Sequence, residues 1–287
     1  MRAEDVKRVA VLGCGLMGSG IVEVCARAGL DVVYREPTDD LVDAGRARIE
    51  RSTAMAVERG RLSDEDRAAA LGRIAGTTEL DALAEADLVL EAATEDPQIK
   101  KALFRDIDGV VRDDVVFGSN TSSIPIVDLA VATGRADRVV GMHWFNPVPV
   151  MTLIEIVRAI TTSDETVELA RAFGERVGKT TVLSRDRAGF IVNTLLIPYL
   201  NDAARMLDEG FASREHIDAA VHLGLNHPMG PLRLGDLIGL DTWLHIAEVL
   251  YDEFRDARYA PPPVLRRMVA AGRLGRKSGE GFYDYRA

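Results

Sequence analysis

Short apolar runs rich in β-branched residues alternate with segments of helical periodicity through the first two thirds of the chain. The apolar runs predict strands at residues 8–12, 31–35, 88–91, 115–118, 139–143, 153–157 and 180–183. Helices are predicted between them, at about 17–28, 39–59, 98–111 and 164–177. Buried apolar strands that alternate with helices are typical of a parallel sheet in an α/β fold.

The pattern changes after Arg187, where the strand signals end. Helical periodicity continues over residues 190–209, 214–223, 235–253 and 263–271. The sequence therefore predicts an α/β domain over residues 1–187 and an all-α C-terminal domain over residues 188–287. The helical stretch near 39–70 is predicted to form an arm on the first domain.

A glycine-rich turn, Gly13-Cys-Gly15-Leu-Met-Gly18, joins the first predicted strand to the first predicted helix. In this G-x-G-x-x-G pattern Gly13 permits a tight turn, Gly15 lets the backbone approach a pyrophosphate, and Gly18 lets the helix pack on the sheet. The helix N-terminus adds N–H groups and the positive end of a dipole. The turn predicts a Rossmann-type dinucleotide-binding domain whose site includes Leu16 and Met17.

Glu36 ends the second predicted strand, eighteen residues beyond Gly18. A carboxylate at this position can accept hydrogen bonds from the adenosine ribose hydroxyls, and it would repel a 2′-phosphate. This favours NAD over NADP. The neighbouring Arg35 argues the other way, because a guanidinium can accept a phosphate.

A proton-transferring histidine is predicted at the end of the strand that closes in Gly-Met-His143. Ligands of open α/β sheets bind outside the carboxyl ends of the strands, and histidine serves as both acid and base near neutral pH. Twelve residues later, Glu155 lies in the apolar strand LIEIV. A carboxylate there needs a partner, and pairing with the imidazole would orient the ring and stabilise its charged form. The alternative for Glu155 is an ordinary edge-strand glutamate.

The segment Ser119-Asn-Thr-Ser-Ser123 follows another predicted strand. Short hydroxyl residues at a strand end commonly form turns and helix caps. They could equally contact a substrate carbonyl or a nicotinamide, and the pattern alone does not choose between these interpretations.

The formal net charge of −10 argues against nucleic-acid binding, which needs a basic surface. The only cysteines, Cys14 and Cys25, are about 16 Å apart if they share a helix, too far for a disulfide. Reduced thiols indicate a cytoplasmic protein. The N-terminal run VAVLG is predicted to be a buried strand rather than a signal peptide, and no apolar stretch of about 20 residues predicts a membrane span. No metal site is predicted.

Several motifs together resemble the 3-hydroxyacyl-CoA dehydrogenases, and most of all the short bacterial 3-hydroxybutyryl-CoA dehydrogenases. They are GCGLMGSGI at 13–21, EAATED at 91–96, SNTSS at 119–123, GMHWFNPVPVM at 141–151, NHPMGPLRLGDLIGLD at 226–241 and GRKSGEGFYDY at 275–285. The resemblance covers essentially the whole chain. It implies NAD-dependent interconversion of an (S)-3-hydroxyacyl-CoA and a 3-oxoacyl-CoA, as in fatty acid β-oxidation, by a protein that is commonly a homodimer.

The resemblance also implies roles for individual residues. It assigns His143 as catalytic acid/base with Glu155 as its carboxylate, and Ser122 and Asn193 as the groups that hold the substrate's C3 oxygen. Asn193 begins the second domain, so the active site is expected between the domains. NAD contacts are implied for Glu95, Lys100, Asn120, Ser122, Asn146 and Lys277, in addition to the glycine turn and Glu36. Coenzyme A contacts are implied for Ser52, Arg59 and Ser122 on and near the helical arm.

The chain departs from the family pattern at two positions. The family usually has aspartate where Glu36 stands, which leaves the fine cofactor preference open. Arg59 replaces a coenzyme A lysine and keeps the charge. Arg51 and Arg61 could add charge for the coenzyme phosphates, or they could form a solvated helix face.

Three competing functions remain open. A related dehydrogenase acting on an acyl-carrier-protein-bound 3-hydroxyacyl or hydroxymalonyl thioester would share nearly every motif. The 6-phosphogluconate-type and other sugar-acid dehydrogenases also begin with a glycine turn and end in helices, but the former use a lysine as base. A non-catalytic NAD-binding protein is opposed by the presence of Ser122, His143, Glu155 and Asn193 together.

Overall fold

The computed structural model of the protein describes residues 2–286, so that Met1 and Ala287, the outermost residues of the two predicted domains, lie outside it. The chain divides into two units, Met1–Arg187 and Ala188–Ala287. The division falls at the point where the hydrophobic pattern of the sequence changes.

The strands of the first unit form one sheet, whose central strands bury apolar residues on both faces, whereas the edge strand at residues 180–185 is partly exposed. The strands are β1 (Arg8–Leu12), β2 (Asp31–Arg35), β3 (Ile74–Thr77), β4 (Leu88–Glu91), β5 (Val116–Ser119), β6 (Val139–Trp144), β7 (Leu153–Arg158) and β8 (Thr180–Arg185). Within the described residues the sheet has eight strands in the order β3-β2-β1-β4-β5-β6-β7-β8. The first six positions of this order are those of a doubly wound dinucleotide-binding fold.

The helices of the first unit connect these strands. They are α1 (Leu16–Arg27), α2 (Asp39–Glu58), α3 (Asp64–Gly72), α4 (Pro97–Asp108), α5 (Ile126–Ala130) and α6 (Asp164–Arg176). Helices α2 and α3 cover most of residues 39–70, the stretch for which a helical arm was predicted. A buried cluster that includes Ile21, Val22, Leu90 and Phe173 packs α1 and α6 against the sheet.

The sheet is parallel as predicted except at β7. This strand runs antiparallel to β6, with His143 directly opposite Glu155. The physical reason is the connection, residues 145–152, because a parallel crossover needs a dozen or more residues. Strand β8 is again parallel to β7 after the crossover through α6.

Strand β3 and helix α5 were missed by the sequence pattern, and α3 was not distinguished from the rest of the helical stretch predicted near 39–70. Strand β3 has the sequence IAGT, and a Cβ on Gly76 would lie 2.6 Å from the Tyr34 ring, so a side chain is excluded there by packing. Helix α3 has the sequence DEDRAAALG and begins with a Ser63 cap that accepts the Asp66 N–H. The four residues of β3 give no hydrophobic period.

The second unit is built from helices over its described residues, 188–286. They are α7 (Val192–Asp208), α8 (Arg214–Gly224), α9 (Pro231–Ile238), α10 (Leu240–Phe254) and α11 (Pro263–Ala270). The single helix predicted over 235–253 is instead divided at Gly239, whose φ of 103° breaks the helical path. Trp243, Leu250 and Leu265 lie in the core of this unit.

Candidate active site

The glycine turn has the geometry that a dinucleotide requires. Gly13 has φ of 91°, and a Cβ on it would lie 2.8 Å from the backbone of residues 92 and 93. A Cβ on Gly18 would lie 1.9 Å from the Gly13 carbonyl oxygen. At Gly15, in contrast, a Cβ would enter open space, with nothing within 4 Å. That space lies at the N-terminus of α1, whose first turn carries no acidic residue and no side-chain cap. The turn therefore fits a dinucleotide pyrophosphate.

Glu36 and Arg35 have different partners at the end of β2. One Glu36 carboxylate oxygen accepts the backbone N–H of Cys14, inside the glycine turn. The Arg35 Nε donates to the Thr78 carbonyl oxygen at 3.2 Å. Arg35 is thus engaged on the neighbouring loop, which removes the main argument from the sequence for a 2′-phosphate site.

Helix α2 packs directly on the glycine turn. A Cβ on Gly45 would lie 2.8 Å from the Cys14 sulfur. Burial, together with the nearby Glu36 carboxylate, raises the pKa of the Cys14 thiol to about 12, so the thiol stays protonated. Further along α2, Ser52 is half-buried, and Arg59 follows the helix as its exposed C-terminal cap. Because these two residues are seven apart, they share one face of the helical path.

His143 and Glu155 form the pair that the sequence predicted. Because they are directly opposite in the antiparallel β6–β7 ladder, their side chains lie on the same face of the sheet. His143 Nδ1 lies 2.7 Å from Glu155 Oε2, and the two side chains are 8% and 0% exposed. An ionised carboxylate only accepts hydrogen bonds, so Nδ1 is the donor, and Nε2 is the nitrogen on the opposite side of the ring.

The Ser119–Ser123 segment begins beside this pair, because β5 and β6 are neighbours with Ser119 opposite Gly141. Asn120 Oδ1 accepts the Trp144 N–H at 2.9 Å, one residue beyond His143. Thr121 Oγ1 accepts the Ile124 N–H at 2.9 Å, a turn-forming contact of the kind expected for short hydroxyl residues. Ser122 is half-buried. The turn interpretation of the segment therefore applies to Thr121, whereas contact of Ser122 with a substrate carbonyl or a nicotinamide stays a prediction.

A buried charge cluster behind this segment was not predicted. Glu91 is 0% exposed and Lys100 is 1% exposed, and their Oε1 and Nζ atoms lie 2.6 Å apart. Lys100 Nζ is also 3.3 Å from Glu95 Oε2. The signal for Glu91 was present, since a carboxylate at the end of the apolar strand LVLE needs a partner, just as Glu155 does.

The remaining predicted residues occupy varied surroundings. Leu16 is 69% exposed at the start of α1, and Met17 packs partly against the core. Asn146 is exposed in the loop after β6. In the second unit, Asn193 is 6% exposed in the first turn of α7. Lys277 Nζ donates to Asp241 at 2.6 Å, and Asp241, despite its partial burial, has a pKa below its ordinary value because of this lysine.

The other histidines, His216, His222, His227 and His245, are exposed and belong to the second unit. Across residues 2–286 no group of three or more His, Cys, Asp or Glu side chains is arranged to hold a metal ion. Likewise, no helix in that range combines the length and the apolar character needed to cross a membrane.

A dinucleotide turn with a carboxylate at the next strand end, and a carboxylate-held histidine on the same sheet, define a nicotinamide-dependent dehydrogenase. Residues 8–187 match the 3-hydroxyacyl-CoA dehydrogenase NAD-binding domain, and residues 189–285 match the 3-hydroxyacyl-CoA dehydrogenase C-terminal domain. The chain belongs to the 3-hydroxyacyl-CoA dehydrogenase family, and NAD is its cofactor.

Individual relatives agree with this assignment over the full chain. A 3-hydroxybutyryl-CoA dehydrogenase of Mycobacterium tuberculosis is 50% identical over 99% of this chain and 100% of its own length. The crystal structure of M. tuberculosis FadB2 superposes with a TM-score of 0.96 at 50% identity, over 98% of this chain and 99% of that one. The (S)-3-hydroxybutyryl-CoA dehydrogenase of Ralstonia eutropha gives a TM-score of 0.93 at 47% identity, with coverage of 98% and 99%.

Proposed function

We propose that the protein interconverts (S)-3-hydroxybutyryl-CoA and acetoacetyl-CoA. The observation that carries this proposal is the His143–Glu155 pair, with 2.7 Å between Nδ1 and Oε2 on a sheet that also bears the glycine turn. The substrate and its stereochemistry follow from the relatives named for that reaction.

In the oxidative direction His143 Nε2 takes the proton of the C3 hydroxyl. Glu155 stabilises the imidazolium that forms, because its carboxylate already accepts from Nδ1. NAD, when bound, supplies the hydride acceptor. Ser122 and Asn193 hold the C3 oxygen, so that positioning contributes as well as proton transfer. In the reductive direction the same imidazolium returns its proton to the oxygen.

The proposed NAD site extends beyond these groups. Its members are the turn residues Gly13, Gly15, Leu16, Met17 and Gly18, with Glu36, Glu95, Lys100, Asn120, Ser122, Asn146 and Lys277. Of these, Glu36 has an observed link to the turn through Cys14. Ser52 and Arg59 are proposed contacts for coenzyme A, together with Ser122. The charge of Arg59 and its exposure at the end of α2 suit a phosphate group.

The direct test is NADH-dependent reduction of acetoacetyl-CoA by the purified protein, followed by the loss of NADH absorbance. His143→Gln is expected to fold, to bind NADH and to lose about 10²–10⁴ in rate. The matched control is His245→Gln, because His245 is exposed on α10 and should tolerate the change. Near-normal turnover by His143→Gln would remove His143 from the mechanism.

A second set of substrates tests the thioester carrier and the acyl chain. Rates with the coenzyme A thioester are expected to exceed those with the same acyl group on an acyl carrier protein. A preference for the carrier protein would overturn the proposed substrate while leaving the chemistry of His143 intact. A series from short to long acyl chains would locate the preferred length.

The protein is also proposed to act as a homodimer in the cytoplasm. Exposed apolar side chains on the second unit, among them Leu195 at 70% and Leu223 at 76%, suit an interface between copies. Cys14 and Cys25 are free and buried, which suits a reducing compartment. Light scattering coupled to size-exclusion chromatography measures the mass, and a monomer at micromolar concentration would contradict the dimer.

A further inference from the structure

A carboxylate and an ammonium group lie in the interior of the first unit with almost no exposure. Glu91 ends β4, where its Cα partner on β5 is Ser119, and Ser119 Oγ donates to Glu91 Oε2 at 2.6 Å. Glu91 Oε1 accepts from Lys100 Nζ at 2.6 Å and from the Ala93 N–H at 2.7 Å. Both oxygens of Glu91 are therefore committed within the protein.

Lys100 faces inward from the first turn of α4. Its ammonium donates to Glu91 and to the Ala93 carbonyl oxygen at 3.2 Å, and it lies 3.3 Å from Glu95 Oε2. Three acceptors account for the three hydrogens of an ammonium group. With 1% exposure of its side chain, Lys100 is placed to act on Glu95, so that its proposed part in the NAD site is exerted through Glu95.

Glu95 connects this buried pair to the segment that carries Ser122. Its Oε1 accepts from Thr121 Oγ1 at 2.5 Å, from the Ser122 N–H at 2.9 Å and from Ser123 Oγ at 3.2 Å. Burial would raise the pKa of Glu95, but the Lys100 charge and the hydrogen bonds from Thr121 and Ser122 outweigh it and hold the pKa below its ordinary value. Glu95 therefore stays ionised and keeps accepting these bonds.

Stability alone gives little reason to retain such a pair. Burying two charges costs desolvation energy, and apolar residues of similar volume are often equally stabilising in their place. A buried ion pair can instead be retained because it fixes the position of a third group. Here that group is the backbone of Ser122, the residue proposed to hold the substrate oxygen.

We propose that Glu91 and Lys100 are positioning residues, which hold Glu95 and, through it, the Ser122 segment in the geometry that the reaction requires. This inference rests on the proposed function, since Ser122 owes its importance to that reaction. Lys100 then affects turnover through Glu95 and Ser122, without itself touching the substrate.

The main variant is the double substitution Glu91→Gln with Lys100→Met, which leaves no lone charge in the interior while depriving Glu95 of its cation. We expect it to fold and to lose about 10- to 100-fold in kcat, measured at saturating NADH. NADH affinity is measured separately, because Lys100 and Glu95 are also proposed members of the NAD site. The matched control is Lys101→Met, because the neighbouring Lys101 is partly exposed and pairs with Asp128 instead. It should retain wild-type kcat.

A double-mutant cycle with Ser122→Ala tests whether the pair acts through Ser122. If it does, the double substitution should have little further effect on kcat once Ser122 is alanine. A loss of undiminished size in that background would show that the pair acts elsewhere and would overturn the proposal, as would wild-type kcat in the double variant alone. Should the double variant not fold, Ser119→Ala is the milder substitute. It removes the hydrogen bond to Glu91 Oε2 and the one that Ser119 Oγ accepts from the Thr121 N–H, and the same cycle applies to it.

Amide hydrogen exchange measures the positioning without any substrate. In the double variant the amides of residues 121–124 should exchange about tenfold faster or more, while those of the β1 and β4 interior stay unchanged. Unchanged exchange over 121–124 would refute the proposed positioning whatever the enzyme's substrate proves to be. Failure of the proposed function is seen separately, as absent wild-type turnover of acetoacetyl-CoA.

Discussion

Glu155→Gln tests the carboxylate's part in proton transfer most directly. The change keeps the shape of the side chain and an acceptor oxygen near His143 Nδ1, but it removes the charge from a position 2.7 Å away that is 0% exposed. A hydrogen bond to a charged group contributes about 1.5–3 kcal/mol. If this stabilisation applies to the imidazolium formed during oxidation, kcat should fall roughly 10- to 150-fold.

The carboxylate stabilises the imidazolium, so its loss makes this cation harder to form and should slow the oxidative direction. The assay is initial-rate kinetics in both directions across a pH series, with thermal unfolding as a check on folding.

Glu165→Gln is the control for Glu155→Gln, because Glu165 is an exposed glutamate on α6 and carries the same charge. A Glu155→Gln enzyme with kcat within twofold of wild type at every pH would refute the reasoning.

Three further predictions concern the cofactor turn and Glu95. Gly15→Ala should leave the melting temperature unchanged and weaken NADH binding about tenfold or more, since its methyl group enters the open space at the turn. In the control variant Gly72→Ala the added methyl group also meets no close atom, and neither the melting temperature nor the NADH affinity should change. Equal NADH affinity in the two variants would contradict the placement of the pyrophosphate at Gly15. Glu36→Gln should reduce the preference for NAD over NADP roughly 10- to 100-fold. Arg35→Ala should leave this preference unchanged, because Arg35 donates to Thr78. A large effect of Arg35→Ala on the use of NADP would contradict the assignment of Glu36 as the residue that selects NAD. Because the pKa of Glu95 is lowered in the folded state, its ionised form stabilises the fold above pH 4.5, and this stability is lost as pH falls through the folded-state pKa. The free energy of unfolding of Glu95→Gln should therefore depend less on pH in acid than that of the wild type. Parallel curves of unfolding free energy against pH for the two proteins would disprove the linkage.

Much of the first unit was readable from local pattern. The β1–α1 turn was recognisable because its glycines meet requirements that only glycine satisfies, and Glu155 was recognisable as a carboxylate among apolar neighbours. The antiparallel direction of β7 was also encoded, in the length of the connection from residue 145 to 152, but alternation of strands and helices suggested otherwise. Strand β3 could not be found in this way, because four residues with a central glycine carry no hydrophobic period.

The partners of the charged residues depended on tertiary packing. Lys100 meets Glu91 because α4 packs its first turn against the end of β4, a contact that spacing along the chain does not predict. The partner of Lys277, Asp241, lies 36 residues away on another helix. Sequence can therefore say that a buried charge needs a partner, whereas which partner it finds depends on how the elements pack.

The hydrogen bond that the Cys14 N–H donates to the Glu36 carboxylate limits how the cofactor preference of this enzyme can be redesigned. Replacing Glu36 with arginine or serine, to admit a phosphorylated ribose, also deprives a buried backbone donor of its acceptor, at a cost of about 1–3 kcal/mol. Because Gly45 packs against Cys14, a loosened turn would also disturb α2, the helix that bears Ser52. A successful switch to NADP therefore needs a second substitution that supplies a new acceptor for that N–H.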